Sequence, residues 1–285
     1  CQRGDEAIVG QSWHTYRWEA GGMAVLGSIQ PQPVETQPGG TLRLADIAAA
    51  IKPDDPHFAR TRLVVLENTT GGQVLPTPYI AEVAALARAR GLAMHLDGAR
   101  LFNAATANAQ ANASDVYDEA RAICAHFDTV SLCLSKGLGA PVGSLLLGSH
   151  SFIRQARRTR KILGGAMRQA GVLAAAGHYA LEHHVRRMAD DHALLRQLAD
   201  GLQAAQRTQA ALQGRLLVHP AQTNILFTDI APDIAPAFAE ALARGGVRVT
   251  SSLYGGQTRL RWVTHLDVGP ADVRAALDCV QAFAG

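Results

Sequence analysis

The chain has 285 residues, enough for one large core or for a large domain with a smaller one attached. Its net charge of +3 is spread along the chain without a basic tract, which argues against a nucleic-acid partner. No signal peptide and no apolar run long enough to span a bilayer is read. The four cysteines (Cys1, Cys124, Cys133, Cys279) lack metal-type spacing, so reduced thiols in a cytoplasm are expected.

In chain order, Glu6-Ala7-Ile8-Val9-Gly10 reads as a buried strand with a turn behind it. Because the sequence opens on Cys1 without a Met and runs straight into that strand, an N-terminal portion is expected to precede it. A strand at 63–66 leads into the polar loop Glu67-Asn68-Thr69-Thr70-Gly71-Gly72, and a helix follows at 79–90, stopped by Gly91. A strand at 92–96 ends at Asp97. Next come a helix at 114–125, a strand at 129–134 and a strand at 142–147. Short apolar strands alternating with helices predict an α/β fold with a mostly parallel sheet covered on both faces.

After Gly148 the pattern changes. A basic helix at 151–160, carrying Arg154, Arg157, Arg158 and Arg160, is followed by Gly164-Gly165 and one long helical region from 169 to about 213. Strands at 224–228, 247–250 and 259–264 with two helices predict a small α+β domain. The expected division is a large domain at 1–185 and a long helix with the small domain at 186–285.

Ligands of open parallel sheets bind beyond the carboxyl ends of the strands. Four polar groups fall near such ends: Glu67-Asn68-Thr69, Asp97-Gly98-Ala99-Arg100, Ser135-Lys136-Gly137, and His14 after the first strand. Lys136 sits among small and apolar residues, which suits a desolvated amine acting as a Schiff-base nucleophile. A surface lysine lying over a glycine turn is the equal alternative. Asp97 favours the first reading, because pyridoxal phosphate (PLP) needs a carboxylate at its ring nitrogen. On its own, a helix-capping or turn aspartate is the commoner case.

These residues also carry a resemblance. His95-Leu96-Asp97-Gly98-Ala99-Arg100 and Ser135-Lys136-Gly137-Leu138-Gly139-Ala140-Pro141-Val142-Gly143 resemble the low-specificity L-threonine aldolases, PLP enzymes of the aspartate-aminotransferase fold type I. The likeness extends to Gly27-Ser28-Ile29-Gln30-Pro31-Gln32-Pro33, Ile51-Lys52-Pro53-Asp54-Asp55, Glu67-Asn68-Thr69, Gly164-Gly165-Ala166-Met167-Arg168-Gln169 and Val263-Thr264-His265-Leu266-Asp267.

The resemblance implies that Lys136 holds the cofactor, that Asp97 serves the ring nitrogen and that Arg100 lies near the 3-oxygen. It implies that His14 stacks on the ring, that Arg261 grips the substrate carboxylate and that His57 places the substrate hydroxyl. Lys161 and Arg168 would reach the phosphate of a neighbouring subunit, so a homo-oligomer, dimer or tetramer, with shared sites is implied. The implied reaction cleaves L-threonine and related β-hydroxy-α-amino acids to glycine and an aldehyde. A β-eliminating PLP lyase or racemase would share the Lys–Asp pair. The family's N-terminal arm and its phosphate-binding turn have no counterpart here, which motivates a third reading, a fragment that folds or oligomerises without catalysis. The stretch 106–113 looks longer than the family's connection. His183 and His184 read as helix surface.

Overall fold

Residues 1–254 and 257–284 are described by the computed structural model, in which the chain forms two units, Cys1–Val185 and Arg186–Gly285. The first begins with β1 (Asp5–Gly10), two one-turn helices α1 (His14–Arg17) and α2 (Gly22–Val25), β2 (Gln30–Val34) and α3 (Leu44–Ala50). It continues through β3 (Arg60–Glu67), α4 (Thr77–Ala89), β4 (Ala93–Asp97), α5 (Leu101–Asn112) and α6 (Val116–Cys124). β5 (Thr129–Cys133), β6 (Ser144–Leu147), α7 (His150–Ile162) and α8 (Gly171–His183) complete it.

The six strands form one sheet in the order β2-β1-β3-β4-β5-β6, parallel except that β6 runs antiparallel to β5. The central strands are apolar on both faces. Ala7, Ile8, Val9, Val64 and Leu66 are fully buried, and Val65 and Met94 nearly so, as a sheet covered on both sides requires. Pro31 and Pro33 interrupt the strand pattern of β2 in the sequence. The structure puts it at the edge of the sheet, where a missing N–H costs nothing. At the opposite edge, β6 exposes Leu145, Leu146 and Leu147 by 40%, 44% and 46%.

Glu6, near the start of β1, is fully buried yet charged by type. Lys52 Nζ donates to its carboxylate at 3.3 Å, to Gln32 Oε1 at 3.0 Å and to the Ala50 carbonyl at 3.0 Å. Thr61 Oγ1 and Gln30 Nε2 also donate to Glu6, at 3.0 and 3.1 Å. The motif around Lys52 therefore has a structural reason in this chain: it neutralises a buried carboxylate at the N-terminal end of a central strand.

The stretch 106–113 is the end of α5 and its cap, with Ala113 at φ 53°. The long helical region expected at 169–213 holds two helices, separated by turns at 184–187. The second unit begins with α9 (Met188–Thr208), then β7 (Leu216–Val218), β8 (Ile225–Ile230), α10 (Ala235–Arg244), β9 (Thr250–Tyr254), β10 (Gln257–Val263) and α11 (Pro270–Gln281). Its antiparallel sheet has the order β7-β8-β10-β9. One face packs Leu226, Ile230, Leu260 and Trp262 against Leu195, Leu202 and Phe238. The strand expected at 247–250 begins instead at Thr250.

Candidate active site

The strand order reverses between β1 and β3: β2 lies to one side of β1, and β4, β5 and β6 follow on the other side of β3. A crevice opens at such a switch point, beyond the carboxyl ends of the strands. The polar groups singled out in the sequence converge there. Glu67 ends β3, Asp97 ends β4 in register with it, and Ser131 of β5 pairs with Asp97, so the three side chains share one row on one face. The ladder continues one residue further, with Asn68 N–H donating to the Asp97 carbonyl at 3.0 Å and Gly98 N–H to the Ser131 carbonyl at 2.9 Å.

Asp97 Oδ1 accepts the Ala99 N–H at 3.1 Å, which fixes its carboxylate at the turn into α5. Two residues back on the same face, burial holds the His95 imidazole below its ordinary pKa, and its Nδ1 hydrogen-bonds the Thr129 hydroxyl at 2.8 Å. A glycine is needed after Asp97. A Cβ on Gly98 would stand 2.7 Å from the Ser131 carbonyl oxygen, 3.2 Å from Val130 Cγ1 and 3.3 Å from Leu101 Cβ. Arg100 caps α5, half-buried, and acts electrostatically on Glu67.

Lys136 lies half-buried in the loop between β5 and β6. That loop is closed by Gly139 N–H to the Lys136 carbonyl and Ala140 N–H to the Leu134 carbonyl, each at 2.9 Å, with Gly139 at φ 71°. A further tie comes from His184, whose Nδ1 lies 2.6 Å from the Leu138 carbonyl. A carbonyl oxygen only accepts, so Nδ1 carries the proton. The surface reading of His184 is thereby corrected; the ring is half-buried and pins the loop that carries Lys136, whereas His183 is exposed.

His14 opens α1 just beyond β1. Trp13, fully buried, packs its ring over Gly10, where a Cβ would stand 2.4 Å from Trp13 Cδ2. This leaves the His14 imidazole outside, more than half exposed, with Nδ1 3.3 Å from Glu19 Oε1. Its backbone N–H donates to Glu67 Oε2 at 2.6 Å, which bridges β1 and β3 across the switch point. Burial pushes the Glu67 carboxyl up to about 8; Asp97 adds to the rise, while the His14 N–H, Lys136 and Arg100 oppose it. The sequence places Glu67 among the polar groups at strand ends but assigns it no role. The available signal was an acid closing the apolar run of β3.

The remaining expected residues belong to other elements. His57 is on an exposed loop, its Nδ1 2.8 Å from Asp55 Oδ1. The His57 backbone N–H, followed by its ring, lowers the Asp55 pKa. Lys161, in the last turn of α7, and Arg168 are exposed. Arg261 belongs to β10 of the second unit, half-buried between the core residues Leu260 and Trp262, and burial lowers its pKa. Its alternate neighbour Arg259 is committed to Asp229, at 2.6 and 2.8 Å.

PLP carries a ring nitrogen, an aldehyde and several oxygen acceptors. The residues at the switch point fit it: a carboxylate closes β4 and an amine stands in the loop after the neighbouring β5. Beside them, Asn68 Nδ2 and Thr69 Oγ1 are buried without a hydrogen-bond partner among the described residues. Buried polar atoms left open in this way suit a ligand's oxygens.

The beta-eliminating lyase family matches residues 1–231. A low-specificity L-threonine aldolase of Escherichia coli K12 is 46% identical over 268 residues, which span 94% of this chain and 74% of that protein. A probable low-specificity L-threonine aldolase 2 of Arabidopsis thaliana is 39% identical over 98% of this chain and 76% of its own length. A solved threonine aldolase of Leishmania major superposes with a TM-score of 0.79 over 100% of this chain and 79% of that one; at 19% identity this speaks to the fold. By family match and by identity over most of its length, the chain belongs to the beta-eliminating lyase family, among the low-specificity L-threonine aldolases.

Proposed function

We propose that the protein is a PLP-dependent carbon–carbon lyase that cleaves L-threonine, L-allo-threonine and related β-hydroxy-α-amino acids to glycine and an aldehyde. The observation that carries this reading is Asp97 at the end of β4 and Lys136 in the loop after the neighbouring β5, both acting electrostatically on Glu67 at the switch point. When bound, PLP supplies an electron sink for the pair left when the Cα–Cβ bond breaks.

The chain's own residues then divide the work. Lys136 would hold the cofactor through its amine. Asp97 would face the ring nitrogen and favour its protonated form, Arg100 would serve the 3-oxygen and His14 would lie against the ring. Arg261 takes the substrate carboxylate with its planar two-pronged guanidinium. The proton of the β-hydroxyl goes to His14, His57 or a bound water.

Lys161 and Arg168 serve the phosphate of a neighbouring subunit, so the protein works as a homo-oligomer, dimer or tetramer. Their exposure in a single chain supports that reading. Four free cysteines support a reducing cytoplasm, where a glycine-forming reaction belongs to amino-acid metabolism.

The test is the visible absorption of the chain with added PLP, before and after borohydride, beside Lys136→Ala. A band that borohydride fixes covalently in the wild type alone is expected, followed by glycine release from threonine. A Lys136→Ala variant with undiminished turnover refutes the assignment. Product from cysteine or tryptophan, with none from threonine, would instead favour a β-eliminating lyase.

A further inference from the structure

The roles assigned above leave one carboxyl at the switch point without a part. Glu67 closes β3 in register with Asp97, so the two acids leave the same face of the sheet side by side. Glu67 is only 5% exposed. Its Oε2 accepts the backbone N–H of His14, the first residue of α1, at 2.6 Å. Trp13, at the cap position of α1, makes no side-chain capping bond, so an acid 53 residues away satisfies that end of the helix.

We propose that Glu67 is a positioning residue of the cofactor site, present as the neutral acid: it fixes the His14 backbone to β3 and leaves Asp97 to supply the single negative charge for the ring nitrogen. This rests on the PLP reading. Two acids on paired positions cannot both ionise cheaply, and the proton goes to the more buried of the two. The groups facing Glu67 are Asp97 from β4, Arg100 from the turn after it, Lys136 from the loop after β5 and the His14 N–H from α1. Desolvation outweighs the cations among them, which places the carboxyl's titration at about 8. As a neutral acid, Glu67 still offers a carbonyl oxygen to His14. It adds no second negative charge that would draw the Lys136 ammonium away from the cofactor.

Glu67→Gln keeps an acceptor of the same shape without a titrating proton, and Glu67→Met removes the acceptor. Two measurements decide: the pH profile of the visible band formed with added PLP, and the urea stability of the PLP-free chain across pH. At pH 6.5, Glu67→Gln is expected to bind PLP within about twofold of wild type, and Glu67→Met about tenfold more weakly. The wild type is expected to show a change in the band with a midpoint near pH 8, and a stability that falls as pH rises toward that value. Glu67→Gln should remove both. A midpoint near 8 that persists in Glu67→Gln overturns the proposal, as does a tenfold loss of affinity in Glu67→Gln at pH 6.5. If Glu67→Met does not fold, the Glu67→Gln comparison still decides. A wild-type chain without a band at any pH overturns the cofactor reading itself, and this proposal with it.

Discussion

Gly98→Ala tests how tightly the site is built into the sheet. The new methyl would stand 2.7 Å from the Ser131 carbonyl oxygen, about 0.7 Å short of ordinary contact at 3.4 Å, with Val130 and Leu101 closing two other directions. The obstructing atom is backbone, already held by the Gly98 N–H at 2.9 Å, so no side chain can swing aside. Either β4 and β5 part, or the turn carrying Asp97 lifts. Overpacking of this kind costs about 1–3 kcal/mol. A displacement of several tenths of an ångström between Asp97 and Lys136 should lower kcat/KM by about 10- to 100-fold. Gly39→Ala is the control: its methyl meets nothing within 4 Å, and it should be neutral or stabilising by up to about 1 kcal/mol. Urea unfolding at unchanged m, together with PLP titration, reads both effects. A Gly98→Ala chain that unfolds at the wild-type midpoint and binds PLP normally would show that the strand ends are slack, and the positional argument would fall.

Other perturbations bear on separate parts of the chain. Lys52→Met strands the buried Glu6 carboxylate and should cost about 3–5 kcal/mol. Adding Glu6→Gln should recover at least half, and no recovery in the double variant would refute the ion-pair account. His184→Ala leaves the Leu138 carbonyl unpaired and should cost about 1 kcal/mol, with faster hydrogen exchange at Gly139 and Ala140. Unchanged exchange would mean that the loop holds its shape alone. In the second unit, burial first and Arg196 second push His192 down to about 4 from 6.5. The folded imidazole stays neutral while the unfolded one gains a proton, so stability should fall as pH drops from about 6.5 to about 4. His192→Leu should flatten that fall; an identical acid limb in the variant would assign it elsewhere.

Much of the first unit was legible because parallel strands buried on both faces write unbroken apolar runs, as in Leu63-Val64-Val65-Leu66. Asp97 and Lys136 were legible for a related reason, standing where such runs stop. What escaped notice is set by contact. Pro31 and Pro33 hide β2, since only its place at the edge makes them harmless. The helix break at 184–187 carries no Pro or Gly signal, and the His184 bond spans 46 residues. The raised pKa of Glu67 comes first from burial in the folded sheet and then from Asp97 on β4 beside it, which no local pattern can express.

The three leucines of β6 bear on what can be measured. Among the described residues their strand is held on one side by hydrogen bonds to β5, has no strand on its outer side and exposes its leucines in part, so heat-loosened chains meet a ready template for annealing to one another. Clumping would then outrun refolding in a thermal scan, and the apparent melting temperature would report the heating rate and the protein concentration. Isothermal urea titration at low concentration is the condition under which the energies above have meaning.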